Sequence, residues 1–434
     1  MKFAAATKEV AEKIWKLYQA ALGTEGCTWS SEYPNRKILK NDMELIMTNR
    51  EKELELYIHI PFCVQKCYYC DFLSMPVDET VRRHYVNQLI REIEQKAEYY
   101  RDYNVTSVFL GGGTPSILEG NQTAEIMEAL QQNFTIEKDA EITIECNPGT
   151  LNRQKLSAYK NAGINRISMG LQSANNQELK NLGRIHTFEE FLQNYDLVRK
   201  TGFENVNVDL MSALPGQKVS DWERTLKEVL KLRPEHISAY SLIIEEGTPF
   251  YQKYEEDEMR REAGECPLIL PTEEAEREMY FLAKKMLLEK GYERYEISNY
   301  AKKGKECRHN IGYWTRKNYL GLGLGSASLV ENVRFSNTSD LNEYLNGKFE
   351  PEEREVLARK EQMEEFAFLG LRMMSGINRK EFVRAFGVEI EAVFGEVIQK
   401  MIDKGLLLQQ AGNIFLTEEG ISVSNYVMSE FLLE

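Results

Sequence analysis

The sequence predicts an α/β chain built around a partial six-unit (β/α) barrel, followed by a small α+β domain. Three observations lead there: short β-branched runs recur at regular intervals, helical patterns fill the gaps, and chemistry-bearing residues cluster where the runs end. The predicted strands are residues 54–60, 105–110, 142–146, 166–169, 206–211 and 237–242. Residues 81–99, 123–132 and 188–200 carry apolar positions at helical spacing between them. Strand, crossover helix and strand in this order make parallel pairs, and in such barrels the active face lies at the C-terminal strand ends.

The first strand runs into the loop that says most. Cys63, Cys67 and Cys70 lie within eight positions. Three thiolates do not close the four-coordinate site of structural zinc, whereas a centre with one position left open can bind and activate a small molecule. A 4Fe-4S cube held through three of its irons has that property. Two other readings stand beside it: a zinc site completed by His59 or Cys27, and buried thiols with no metal.

The later strand ends are polar or glycine-rich. The second meets Gly111-Gly112-Gly113-Thr114-Pro115, where missing side chains let a ligand approach the backbone. Glu145 closes the third strand, Gln172 follows the fourth with Arg184 in the segment beyond, and Asp209 ends the fifth. A carboxylate, an amide and a guanidinium can hold amino, carboxylate and ribose groups through directed hydrogen bonds. Each of them alone reads equally as a loop anchor.

Together these motifs resemble the radical S-adenosylmethionine (SAM) proteins, and within them the branch of coproporphyrinogen dehydrogenases and HemW-type haem chaperones. The order Tyr57, the C-x-x-x-C-x-x-C loop, Gly-Gly-Gly-Thr-Pro, Glu145 before Asn147-Pro148, Ser168 to Ser173 and Asp209-Leu210-Met211 carries the resemblance. It implies a 4Fe-4S cluster on the three cysteines. It also implies a SAM pocket of Tyr57, Tyr69, Gly112, Gly113, Thr114, Glu145, Gln172, Arg184 and Asp209, with Ile243 and Ala327 matching further lining positions. The dehydrogenases carry another cysteine just past the loop, where this chain has Asp71-Phe72. Conversely, His309-Asn310-Ile311-Gly312-Tyr313-Trp314 matches the H-N-x-x-Y-W motif of the chaperones, so the resemblance implies haem contact at His309, with Cys307 a weaker candidate. Haem, an acceptor protein and an electron donor are the implied partners.

Gly321-Leu322-Gly323-Leu324-Gly325 is not a dinucleotide fingerprint, because it opens no early βαβ unit; it reads as close backbone packing at the barrel's open edge. Beyond a charged linker at 350–355, residues 366–374 and 398–408 read as helices and 413–417 as a strand, the outline of a winged-helix-like domain over 356–434. It has no basic stripe, which favours a lid or partner-docking role over nucleic acid. The barrel with its aromatic motif occupies residues 53–345, and residues 1–52 form an extension, read either as an acetyltransferase-like fragment without its cofactor loop or as a partner-binding helix over residues 6–21.

Seven cysteines in 434 residues do not form a disulfide framework and fit a reducing cytoplasm. No membrane span or signal sequence is legible. The net charge of -14 argues against a broad nucleic-acid footprint.

Overall fold

The computed structural model describes residues 52–433, so the extension lies outside the described residues except for Lys52. Six parallel strands form its centre: β1 (Lys52–Ile60), β2 (Tyr103–Gly112), β3 (Thr135–Cys146), β4 (Arg166–Gln172), β5 (Val206–Ser212) and β6 (His236–Ser241). They lie side by side in chain order, as right-handed β-α-β units require. Alternation sorts the side chains. Leu54, Leu56, Ile58 and Ile60 enter the apolar core beneath the helices, while Tyr57 packs with Phe109, Cys307 and Tyr295 on the concave side.

The crossover helices start where the sequence caps them. Asp78 accepts from the Val81 amide ahead of Glu79–Ala97, and Thr187 and Glu190 form a reciprocal box ahead of Phe188–Lys200. Gly120–Asn133 lies between β2 and β3.

Six further strands, which the six-unit reading did not include, extend the sheet at both sides. β8 (Asn299–Ala301) adds antiparallel to β6, and β7 (Glu293–Arg294) antiparallel to β8. On the other side β9 (Tyr319–Leu322) pairs parallel with β1, and β10 (Ala327–Val330), β11 (Val333–Ser336) and β12 (Glu352–Val356) follow antiparallel. The glycine run opens this flank: a Cβ on Gly321 would collide with the Ala327 carbonyl, and one on Gly323 would stand 2.6 Å from the His59 carbonyl oxygen.

A second apolar core belongs to the C-terminal segment. Its helices Arg359–Gly370, Arg379–Phe386 and Glu391–Asp403 pack beside a three-stranded antiparallel sheet of Ile377–Asn378, Asn413–Leu416 and Leu407–Gln410. The helix expected over 398–408 therefore stops early. Gly405 takes a left-handed φ of 72°, and the chain turns there into a strand that buries Leu407 and exposes Gln409 and Gln410.

Candidate functional site at the mouth of the barrel

The cysteine loop leaves β1 and folds back on itself. The Cys63 amide donates to the Met75 carbonyl at 3.1 Å, and the Cys70 amide to the Cys67 carbonyl at 3.2 Å. All three thiols are half-buried. Burial pushes the Cys63 and Cys70 thiols up, Cys70 to about 11, against hydroxyl donation from Thr114 to Cys63 and backbone donation from Phe72 to Cys70. Loading a metal centre must therefore strip protons from them.

The end of β2 holds the loop from below. Gly112 has φ 115°, and a Cβ there would lie 2.5 Å from the His59 ring; one on Gly113 would lie 2.7 Å from the Phe62 carbonyl oxygen. Thr114 faces the Cys63 sulfur at 3.4 Å. His59 is spoken for at both nitrogens, by the Tyr57 hydroxyl at 2.9 Å and the Leu73 carbonyl at 3.0 Å. It is not free to complete a zinc site, and Cys27 lies outside the described residues.

Among the described residues no three His, Cys, Asp or Glu side chains converge as a single-ion site. Three thiols that share a loop and feel each other's charge are the donor set that a cube held through three of its irons needs. A cube binds each thiolate through a different iron, so its ligands stand further apart than those of one ion.

Around the loop the polar groups form a linked set. Arg184 donates to Asn147 Oδ1 at 2.8 Å and the Gly170 carbonyl at 2.5 Å, and lies 3.9 Å from the Cys67 sulfur. Asn147 in turn donates to Thr114 Oγ1 at 2.8 Å. Gln172 sits just past a bulge in β4 with φ 72°, and accepts from the Tyr240 hydroxyl at 2.9 Å. Asp209 accepts from Asn207 at 2.7 Å and Ser168 at 3.2 Å. Desolvation at the end of β3 pushes the Glu145 carboxyl up to about 8. Tyr69 is buried with Met211, Leu214, Leu242 and Phe250, an apolar patch against Cys67 and Cys70. Ile243 stands half exposed just past β6, and Ala327 opens β10 at its mouth end.

At the opposite end of the barrel the helix Arg308–Trp314 forms the floor. His309 is 1% exposed and stacks on Phe109 at 5.1 Å; Nδ1 bonds Ser107 Oγ at 2.8 Å and Nε2 bonds the Tyr313 hydroxyl at 3.2 Å. Burial lowers its pKa to about 3, so the ring is neutral. The Cys307 thiol is fully buried against Glu141 at 3.3 Å.

Among these polar partners, Asn147 and Ser168 stood in the motifs without a role, and Tyr240 and Asn207 were not singled out. The alternation Asn207-Val208-Asp209 was the available signal, since it puts both polar residues on one face of β5.

The model for the radical SAM superfamily matches residues 57–229, and that for the HemN C-terminal domain matches residues 357–423. A protein of Lactococcus lactis named "Heme chaperone HemW" is 34% identical over 388 residues, which is 88% of this chain and 98% of the relative. The chain belongs to the HemW family of radical SAM proteins. A relative of the same name in Escherichia coli is 34% identical over 387 residues, 88% of this chain and 98% of its own. The zebrafish protein "Radical S-adenosyl methionine domain-containing protein 1, mitochondrial" is 31% identical over 400 residues, 88% of this chain and 87% of its own. In fold, the chain is similar to the E. coli radical SAM enzyme coproporphyrinogen III oxidase, with TM-score 0.75 and 20% identity over 93% of this chain and 97% of that one. With the superfamily come its cofactors, a 4Fe-4S cluster and SAM.

Proposed function

We propose that this protein is a haem chaperone, binding haem and passing it to an acceptor protein, on a barrel whose mouth holds a 4Fe-4S cluster with exchangeable SAM. The observation that carries the reading is 34% identity to the Lactococcus HemW across 98% of that protein. In this reading Cys63, Cys67 and Cys70 ligate the cluster, and Gly112, Gly113 and Thr114 hold their loop in place. The cluster supplies an open iron and an electron. Arg184 is the cation for the SAM carboxylate, Glu145 the anion for its ammonium, and Asp209 with Gln172 the partners of the ribose hydroxyls. Tyr57 fixes His59 beneath the loop, and Tyr69 with Phe250 and Leu242 offers an apolar wall for adenine. Ile243 and Ala327 line the rim.

Haem contact falls to the segment containing His309. Its neutral imidazole would suit iron, and to reach haem Nε2 would release Tyr313 and the ring would leave Phe109. Cys307 is held by Glu141 and serves as packing. No helix among the described residues is long and apolar enough to cross a membrane, and we place the protein in the cytoplasm, where six cysteines without a disulfide among the described residues stay reduced.

An anaerobic haem titration of the cluster-loaded protein tests this. Saturable binding, weakened in His309→Ala with iron and sulfide content unchanged, is the expected result. Identical curves for the two proteins remove His309 from the haem site, and no saturable binding removes the chaperone reading.

A further inference from the structure

Behind the mouth, a chain of buried side chains runs from the β7–β8 flank to Asp209. The Tyr295 hydroxyl meets His236 Nε2 at 2.8 Å, His236 Nδ1 meets Asn207 Oδ1 at 2.6 Å, and Asn207 Nδ2 donates to Asp209 Oδ1 at 2.7 Å and Ser168 Oγ at 2.8 Å. Ser168 then donates to Asp209 Oδ2 at 3.2 Å. Each direction along the chain follows from donor chemistry. Asn207 Oδ1 is an acceptor only, so His236 must carry its proton on Nδ1; its Nε2 is then an acceptor, and the Tyr295 hydroxyl must donate. Were the Asn207 amide flipped, its oxygen would face the Asp209 carboxylate at 2.7 Å with no proton between them. Burial keeps His236 neutral, which preserves this single arrangement. His236 is 0% exposed and Asn207 2%, so water does not compete for these bonds.

We propose that Asn207 is a positioning residue for SAM, acting through Asp209, and that His236 sets the orientation of its amide. With one donor on each carboxylate oxygen, Asp209 is fixed in rotation, and its remaining lone pairs face outward as acceptors. A vicinal diol offers two hydroxyl donors at a fixed spacing, and a carboxylate locked in this way matches them better than one free to turn. This inference rests on the SAM pocket set out above and adds to it the residues that make Asp209 selective for a ribose.

Asn207→Asp is the informative variant, because it keeps the shape but sets a second carboxylate against Asp209. Equilibrium binding of SAM and of an analogue lacking both ribose hydroxyls is measured on cluster-loaded protein, with iron, sulfide and melting temperature recorded alongside. Asn207→Asp is expected to weaken SAM at least about tenfold, a loss of about 1.4 kcal/mol, and to leave the analogue within about twofold at unchanged cluster content. His236→Phe, which removes the donor to Oδ1, is expected to reproduce the selective loss in smaller measure. Equal weakening of SAM and analogue, or no weakening of either, overturns the role of Asn207. Asp209→Asn separates the two levels: if it too leaves SAM binding unchanged, the pocket assignment of Asp209 fails, and if it alone weakens SAM, only the positioning role does.

Discussion

The two ends of the barrel use the same kinds of residue to opposite ends. At the floor, Glu55, Ser107, Glu141, Arg166, Cys307 and His309 are buried; hydrogen bonds join Ser107 to His309 and Glu141 to Cys307 and His309, while Glu55 Oε2 and Arg166 Nε find no hydrogen-bond partner among the described residues. At the mouth, Cys63, Cys67, Cys70, Glu145 and Arg184 are only partly covered, with Cys63 against Thr114 and Arg184 bonded to Asn147. The difference teaches that polarity inside a barrel does not by itself mark a site. What separates them is hydrogen-bonding capacity left over at an accessible place, and strand direction puts that place at the C-terminal ends.

Substitutions at the two ends should therefore fail in different currencies. The largest effect is expected from Cys67→Ala, which removes one cluster ligand: iron and acid-labile sulfide are expected to be lost nearly completely while the far-UV circular dichroism stays the same. Retention of a full cluster would contradict the ligand set. Next is His309→Ala at the floor, expected to cost about 2–3 kcal/mol by opening a cavity and orphaning Ser107. Chemical denaturation measures it, and SAM affinity in the folded protein should not change. Gly113→Ala is smaller: its Cβ would press on the Phe62 carbonyl, displacing the loop, and SAM binding is expected to weaken about tenfold. The smallest concerns Glu145. Because its pKa is raised to about 8, the folded protein binds more protons there than the unfolded chain between the ordinary carboxylate range and pH 8, so this group lowers stability as pH rises through that window. A bound ammonium ion would reverse that shift. SAM binding near pH 7 is thus expected to release up to one proton at this group, seen by calorimetry in buffers of different ionisation enthalpy, and Glu145→Gln should abolish that part.

The six central strands were legible because apolar residues recur in short runs at strand spacing, as at Leu54, Leu56, Ile58 and Ile60. β7 to β12 were not, since strands of two to five residues carry too few positions to show a period. The cysteine loop and glycine run were legible because their chemistry is local in sequence. Asn147, which joins Thr114 to Arg184, and Tyr240, which holds Gln172, act across strands, and nothing in their immediate sequence states the partner. His309 was visible as a motif, but its burial between Phe109 and Tyr313 depends on how the floor helix enters the barrel.

The central claim is that the protein delivers haem and does not convert a porphyrinogen. The most direct measurement incubates the cluster-loaded, haem-saturated protein anaerobically with SAM, reductant and coproporphyrinogen, and follows haem release and porphyrinogen products in the same sample. Bound haem that leaves for an added haem-binding apoprotein, with coproporphyrinogen recovered unchanged, is the predicted result; formation of protoporphyrinogen would contradict the account and make this chain an oxidative decarboxylase.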